Sequence, residues 1–266
     1  MRTDDDGAAR RRVLLPTGDA LIDTIVEGQG GAVVLLPSSQ RGSEDFDEVA
    51  ARIARAGHRV LRPQPRGIGA SSGALEGLTL HALAADVAAV IRAFGAGPAI
   101  VVGHAYGHYV ARVTARDHPR LVRGVVMAAA ASAHADPGLA AALDLAADAG
   151  QPEALRLAAL RRAFFAPGSD PRPWLAGWHP HLAPAYRAAA ATPARALWTA
   201  TCPAPVLDLQ AAGDPWRPRA SLREVQDALG ARASVAVIEG ASHSLFPERP
   251  ARVARAIVDW AAGLAR

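Results

Sequence analysis

Ala99-Ile100-Val101-Val102-Gly103-His104-Ala105-Tyr106-Gly107 is the stretch of this chain that decides its expected fold. Four apolar residues come first, two glycines then bracket a short turn, and a helical pattern continues to His118-Pro119. An apolar run of this length that ends at glycines predicts a buried strand followed by a sharp turn. Gly103 and Gly107, which lie two residues before and two residues after Ala105, allow a strained backbone there. The stretch therefore predicts a strand, a turn and a helix.

Similar apolar segments recur along the chain and alternate with helical patterns. Two of them, Val13 to Pro16 and Ala20 to Glu27, flank a turn at Thr17-Gly18-Asp19 and predict an antiparallel hairpin. The other predicted strands are Ala32 to Leu36, His58 to Leu61, Ala99 to Val102, Gly124 to Ala130, Pro205 to Leu209 and Ser234 to Ile238. Such alternation predicts an α/β protein with a mostly parallel sheet covered on both faces.

One segment interrupts the alternation and divides the chain. Residues 133–202 contain no convincing strand, only helical patterns at Leu139 to Ala149, Pro152 to Phe165 and Ala185 to Trp198. We expect a helical cap there, a core made of residues 13–132 and 203–266, and a disordered lead-in at residues 1–12.

Three further motifs join the turn at residue 105. Residues 62–71 contain an Arg-Gly-x-Gly-x-Ser turn in which Gln64 stands two residues before the arginine. An apolar strand leads to Gly213-Asp214, and a later strand leads to Gly240-Ala241-Ser242-His243. The chain thus places a turn residue, an acid and a histidine in that order, each after a predicted strand.

These motifs resemble those of the α/β-hydrolase superfamily, over about residues 10 to 264. The family's nucleophile elbow has the pattern G-x-S-x-G, whereas this chain has Ala105 in the position of the serine. The form Gly-His-Ala-aromatic-Gly is similar to that of a bacterial subgroup in which alanine is the natural residue. The resemblance implies the α/β-hydrolase fold, a twisted, mostly parallel sheet with helices on both faces and a helical cap insertion.

The resemblance also implies the roles of two residues. His243 is expected to be the general base, since imidazole titrates near neutral pH, and Asp214 is expected to fix its tautomer. Asp136, after the sixth strand, is an alternative acid position in some relatives and ranks below Asp214. His104 and His108, which flank the elbow, are expected to be packed or hydrogen-bonded rather than catalytic.

An oxyanion hole needs two backbone N–H groups directed at one point. The resemblance implies the N–H of Tyr106, directly after the elbow residue, and by register the N–H of Ser39. The family commonly has His-Gly-x in this second loop, whereas this chain has Pro37-Ser38-Ser39, and proline offers no N–H. Nucleophilic use of the Tyr106 hydroxyl is disfavoured, because the residue after the elbow normally turns its side chain away.

The substrate is expected to be a small, largely apolar carbonyl compound, with possible contacts to Ser38, Arg41, Trp174 and Trp178. Without a serine, the expected chemistry is hydrolysis of an ester or lactone by direct water attack, or a proton-abstraction step of a lyase, isomerase or cofactor-independent oxygenase. Two alternatives stay open. In the first, the chain is a non-catalytic ligand-binding or sensor protein. In the second, it is a serine esterase with an engineered Ser-to-Ala change.

Composition excludes several other classes of protein. The single cysteine, Cys202, excludes an internal disulfide and a cysteine-based metal cluster, and we expect neither a metal nor a cofactor. The net charge is +4 and every basic side chain is an arginine, but the arginines are scattered, which disfavours nucleic acid as a partner. No apolar run is long enough to span a membrane, and residues 1–12 lack the apolar core of a signal peptide. A cytoplasmic location is expected, and the oligomeric state stays open.

Overall fold

An eight-stranded sheet runs through the centre of the computed structural model, which describes residues 10–94, 97–132, 134–199 and 202–264. The strand order is β1-β2-β4-β3-β5-β6-β7-β8. The strands are β1 (Arg11–Thr17), β2 (Ala20–Glu27), β3 (Gly31–Leu36), β4 (His58–Pro63), β5 (Ala99–His104), β6 (Val122–Ala128), β7 (Val206–Ala211) and β8 (Ala233–Ile238). The β1·β2 and β2·β4 pairs are antiparallel and the others are parallel, so the predicted sheet is confirmed.

Helices follow the strands and cover both faces of the sheet. They are α1 (Asp47–Arg55), α2 (Leu80–Ala93), α3 (Gly107–Asp117), α4 (Gly138–Ala147), α5 (Glu153–Ala163), α6 (Ala183–Ala189), α7 (Ala196–Thr199), α8 (Glu224–Leu229), α9 (Leu245–Glu248) and α10 (Pro250–Gly263). Helices α2 and α3 pack on one face of the sheet and form a hydrophobic core with it. Helices α1 and α10 form a second core on the other face.

Strand β3 shows how the sequence builds two cores at once. Val34 and Leu36 are buried in the core that contains α2 and α3. Val33 and Leu35 are buried in the core that contains α1 and α10. Because successive side chains of a strand point to opposite faces, a continuous apolar run is what a strand covered on both sides needs. The run therefore places β3 at the centre of the sheet.

The predicted hairpin is confirmed, but it starts earlier than expected. Strand β1 begins at Arg11, which pairs with Val26, and the hairpin closes where Thr17 pairs with Ala20. The assignment of residues 1–12 to a disordered lead-in is therefore wrong for its last two residues, because their backbone continues the ladder with β2. Residues 1–9 lie outside the described part of the chain.

A capping residue marks one helix boundary, and a proline divides a segment that the sequence predicts as one helix. Thr79 caps α2, since its hydroxyl accepts a hydrogen bond of 3.1 Å from the N–H of Ala82. The single helix predicted from Ala185 to Trp198 is wrong, because α6 and α7 divide this segment between them. Pro193 lies between the two helices and cannot donate the hydrogen bond that a continuous helix would require.

The segment between β6 and β7 forms a helical insertion with an apolar core of its own, which includes Leu139, Leu160, Phe164 and Trp174. Hydrogen bonds tie it to the loops after the last two strands. The indole N–H of Trp216 donates to the Ala163 carbonyl at 2.7 Å, and the Ser244 hydroxyl donates to the Phe164 carbonyl at 2.7 Å. We propose residues 133–202 as the extent of this cap, of which 133, 200 and 201 lie outside the described residues.

Gly103→Ala is expected to destabilise the fold strongly. A Cβ atom at position 103 would lie 2.3 Å from the backbone of Gly107 and His108, and backbone cannot rotate away as a side chain would. We expect the free energy of unfolding in urea to fall by about 3 kcal/mol. Gly263→Ala is the control, because a Cβ there meets no atom within 4 Å. Equal stability of the two variants would contradict the close approach of the backbone at the turn.

Candidate active site

The turn after β5 holds Ala105 in a backbone conformation that alanine rarely adopts, with φ of +46°. The N–H of Ala105 donates to the Ala128 carbonyl at 3.0 Å, and the N–H of His108 donates to the Ala105 carbonyl at 3.1 Å. At Gly107 a Cβ would lie 2.3 Å from the Leu36 carbonyl oxygen. The predicted sharp turn between a strand and a helix is thus present, and only glycine fits at its second flank.

His243 and Asp214 form a buried pair at the ends of two neighbouring strands. Nδ1 of His243 lies 3.1 and 3.0 Å from the two carboxylate oxygens of Asp214. A carboxylate only accepts, so Nδ1 carries the proton and Nε2 of the neutral ring is left as an acceptor. No described residue makes a hydrogen bond to Nε2. The pair therefore presents one free basic nitrogen.

Hydrogen bonds between the two loops fix the relative position of this pair. The N–H of Gly213 donates to the Ala241 carbonyl at 2.9 Å, and the Ser242 hydroxyl donates to the Gly213 carbonyl at 3.0 Å. The N–H of Trp216 donates to Oδ1 of Asp214 at 2.9 Å. The carboxylate is thus oriented from its own loop, and the two loops are joined directly beside it.

The alternative acid, Asp136, lies elsewhere. Its carboxylate accepts from Arg162 at 3.2 Å, and both side chains are more than half exposed. The N–H of Gly138 also donates to it at 2.8 Å, which lowers its pKa ahead of the effect of Arg162. Asp136 does not line the cavity described next.

A cavity of about 170 Å³ opens above Ala105, and His243 lines its wall. Asp214 contacts His243 but does not line the cavity. The remaining residues that the sequence predicted for the site do line it: Ser38, Ser39, Arg41, Tyr106, Trp174 and Trp178. The structure therefore brings together the elbow, the base, the loop after β3 and the cap.

Sequence reasoning missed several residues of this cavity, chiefly Gln40, Leu143, Phe164 and Trp216. Trp216 follows Asp214 by two residues, and this spacing was an available signal. Phe164 lies at the end of α5, where nothing local indicates the direction of its ring. Together with the two predicted tryptophans, these side chains give the cavity an aromatic wall.

Ser39 and Tyr106 both line the cavity, and the backbone N–H of neither residue makes a hydrogen bond to another described residue. Ser39 belongs to a turn closed by the N–H of Arg41, which donates to the Ser38 carbonyl at 3.1 Å. Tyr106 directly precedes the first residue of α3, where a helix favours negative charge.

Other candidate nucleophiles are not activated. The Tyr106 hydroxyl donates to the Tyr186 carbonyl at 2.8 Å, and burial raises its pKa well above the ordinary value. Cys202 is buried away from the cavity, and burial raises the pKa of its thiol. Neither residue replaces the missing serine.

His104 is hydrogen-bonded beside the site, as the sequence predicts. Its Nε2–H donates to the carbonyl of His243 at 2.8 Å. Burial, with a smaller contribution from the neighbouring His243, lowers the pKa of His104 to about 3. Burial also lowers the pKa of His108, which packs against Tyr109 and Trp198. Both rings therefore stay neutral over the range in which a catalytic histidine titrates.

Two features are absent from the described residues, a metal site and a membrane-spanning helix. No cluster of three or more His, Cys, Asp or Glu side chains is arranged to hold a metal ion. No helix in the described ranges is both long and apolar enough to cross a membrane.

The family assignment rests on a match that covers most of the chain. Residues 33–256 match the sequence profile of the alpha/beta hydrolase family. This chain belongs to that family. The expectation drawn from its four motifs is confirmed at this level.

Curated relatives match part of the chain. Epoxide hydrolase B of Mycobacterium tuberculosis is 35% identical over 109 residues, which is 40% of this chain and 31% of that protein. A protein of Variovorax paradoxus described as "Putative carbamate hydrolase RutD" is 36% identical over 99 residues, 36% of this chain and 37% of that protein. The chain thus spans about a third of the length of these relatives.

Solved structures match nearly the whole chain. A Mycobacterium tuberculosis protein described as "Putative non-heme bromoperoxidase BpoC" superimposes with a TM-score of 0.75 at 26% identity, over 92% of this chain and 97% of that one. A meta-cleavage product hydrolase, CumD, gives a TM-score of 0.75 at 17% identity, over 95% and 97% of the two chains, which supports the fold alone.

Acid is expected to destabilise the protein through His104 and His108. The unfolded chain takes up protons below the ordinary histidine pKa of 6.5, whereas folded His104 does so only near 3. Between these values the unfolded state binds more protons, so the free energy of unfolding falls as the pH falls. Urea denaturation across this range measures the slope. His104→Gln keeps a donor and removes the titration, so it should flatten the slope, and an unchanged slope would contradict this account.

Proposed function

We propose that this chain is a hydrolase of small, largely apolar esters or lactones, in which His243 activates a water molecule that attacks the carbonyl carbon directly. The observation that supports this most strongly is the free Nε2 of His243 at a cavity above Ala105, with Nδ1 engaged by Asp214. A base is held in its reactive tautomer where the elbow has no hydroxyl.

The proposed reaction uses groups that all lie at one cavity. Nε2 of His243 takes a proton from water as the water oxygen bonds to the carbonyl carbon. The carbonyl oxygen becomes an oxyanion and accepts hydrogen bonds from the N–H groups of Ser39 and Tyr106. The tetrahedral intermediate then expels the alkoxide or phenoxide, which takes the proton from the imidazolium. The products are an acid and an alcohol, or a hydroxy acid from a lactone.

Asp214 acts through His243 in this scheme. Its carboxylate keeps the proton on Nδ1 and stabilises the imidazolium that forms during attack. His104 is held neutral by burial, so it adds no second positive charge beside that imidazolium.

The shape of the cavity supports the substrate class. An apolar cavity of about 150 Å³ holds a benzene molecule. The cavity here has a volume of about 170 Å³, and Phe164, Trp174, Trp178 and Trp216 line it. Aromatic walls favour a flat apolar group by edge or face contacts. We therefore propose compounds the size of one substituted ring, such as phenyl acetate or an aryl lactone.

His243→Ala is expected to lower kcat/KM for phenyl acetate by about 10²- to 10⁴-fold, because general-base catalysis is lost. Asp214→Asn should also lower it, since an amide can stabilise the wrong tautomer. His181→Ala is the control, a histidine on the exposed surface of the cap. Intrinsic tryptophan fluorescence measures binding in the same samples. Saturable binding without turnover that depends on His243 would instead indicate a ligand-binding or sensor protein.

Ala105→Ser tests whether the rest of a serine-hydrolase site is aligned on the turn. The new hydroxyl would face the free base, so we expect labelling by a fluorophosphonate and a gain of roughly 10²-fold in ester turnover. The unchanged protein should not be labelled. Absence of labelling in the variant would show that Nε2 of His243 or the two N–H groups are not directed at position 105.

A further inference from the structure

Arg41 is a buried arginine at the wall of the cavity. It follows Ser39 by two residues in the loop after β3, which we call the oxyanion loop (residues 37–41). Its side chain is 5% exposed, although a loop arginine is ordinarily solvated. A buried guanidinium needs partners for its charge and its N–H groups, and those partners show what the residue does.

One partner of Arg41 is Asp45, which follows it by four residues. Nε and Nη2 of Arg41 donate to the two carboxylate oxygens of Asp45 at 2.8 and 2.5 Å. Two parallel hydrogen bonds hold the guanidinium plane in one orientation. The carboxylate also balances the charge of Arg41.

A second set of partners lies in the cap. Nη1 of Arg41 donates to the carbonyl of Ala176 at 2.6 Å. The guanidinium carbon lies 4.4 Å from the ring centre of Trp174 and 4.8 Å from that of Trp178. Both distances are in the range of favourable cation–π contacts. One side chain thus connects the oxyanion loop to the cap.

The backbones of the two segments are also paired. Arg41 and Trp178 form an isolated antiparallel bridge, and the N–H of His179 donates to the Gln40 carbonyl at 3.0 Å. The cap loop, residues 176–179, is therefore joined to the oxyanion loop through the backbone as well as through the side chain of Arg41. A change in the position of either loop would break the contacts of Arg41 and the bridge together.

We propose that Arg41 is a positioning residue that holds the N–H of Ser39 at the cavity by fastening the oxyanion loop to the cap loop. This proposal rests on the proposed function, in which that N–H binds the oxyanion. The loop lacks the glycine that the family commonly has, and it is held from outside by Arg41 and by the backbone bridge. The position of the cap loop and the alignment of the oxyanion donor then depend on each other.

A substrate carboxylate is a poorer fit to Arg41. Three of its five N–H groups already donate to Asp45 and Ala176, and its charge is matched by Asp45. Its ring neighbours, Trp174 and Trp178, cover the guanidinium. Arg41 therefore acts through the loop and not by binding the substrate.

Arg41→Met removes the guanidinium and keeps an apolar stem. With phenyl acetate as the probe, we expect kcat to fall by roughly 10- to 100-fold while KM changes much less, since a misaligned donor weakens transition-state binding. Arg41→Lys should recover part of kcat at most, because an ammonium cannot make the paired contact with Asp45. A purely structural role would lower the folded fraction and leave kcat per folded molecule unchanged.

The matched control is Arg52→Met. Arg52 pairs with Glu48 in the same four-residue spacing, but this pair is exposed and lies away from the cavity. The Arg52→Met variant should change neither kcat nor KM. If Arg41→Met leaves too little folded protein because Asp45 is left unpaired, the double variant Arg41→Met with Asp45→Asn removes both charges together and is measured in its place.

A second measurement does not depend on turnover. Amide hydrogen exchange at position 179 reports the hydrogen bond to the Gln40 carbonyl, which joins the loops, and exchange at position 41 reports the turn bond to the Ser38 carbonyl within the oxyanion loop. We expect Arg41→Met, or the double variant, to accelerate both, and Arg52→Met to accelerate neither. Unchanged exchange at position 179 would overturn the proposal, as would an unchanged kcat. If the unaltered protein does not hydrolyse phenyl acetate, the proposed function fails for this probe, and the exchange experiment alone decides whether Arg41 fastens the loop.

Discussion

The close approach of backbone to backbone at the turn after β5 is the constraint on which the site depends. Gly103 lies against the first residues of α3, and Gly107 lies against the end of β3. These contacts bring α3, β5 and β3 within a few ångströms of one another, which places Tyr106 beside the oxyanion loop. Ala105 takes a positive φ as a result, and the surrounding hydrogen bonds hold it there. A side chain at either glycine would separate the elements that enclose the cavity.

The sheet then determines which polar groups meet at that turn. Strands β5, β6, β7 and β8 are parallel neighbours, so the loops at their carboxyl ends lie along one edge. Asp214 and His243 follow the last two of these strands, and the bonds between their loops bring them into contact. The cap closes the same edge with aromatic side chains. The result is a basic nitrogen in a largely apolar cavity, where electrostatic interactions are stronger than in water.

Much of this arrangement was readable from the sequence because it depends on local patterns. Apolar runs fixed all eight strands within a few residues, and motif order put Asp214 and His243 together. The division of the helix after Ala189 was missed, since the alanine-rich pattern favours a helix and Pro193 is one residue among many. The contacts of Arg41 could not be foreseen, because Ala176 is 135 residues away and no local pattern predicts which surface the cap covers. Only the four-residue spacing of Arg41 and Asp45 hinted at a fixed side chain.

The unpaired polar groups of the residues that line the cavity indicate which kind of molecule would bind there. Nε2 of His243 is a free acceptor, and the N–H groups of Ser39 and Tyr106 are free donors, and all three residues line one space. An unpaired polar group that is withdrawn from water costs about 1–3 kcal/mol, so an occupant that satisfies these groups gains that free energy back. A carbonyl oxygen satisfies two donors, and a water O–H satisfies the acceptor. With a methyl group at position 105 in place of a hydroxyl, the described residues offer that acceptor no partner. This is why we propose a carbonyl compound together with a water molecule as the occupants, which are the two reactants of a direct hydrolysis.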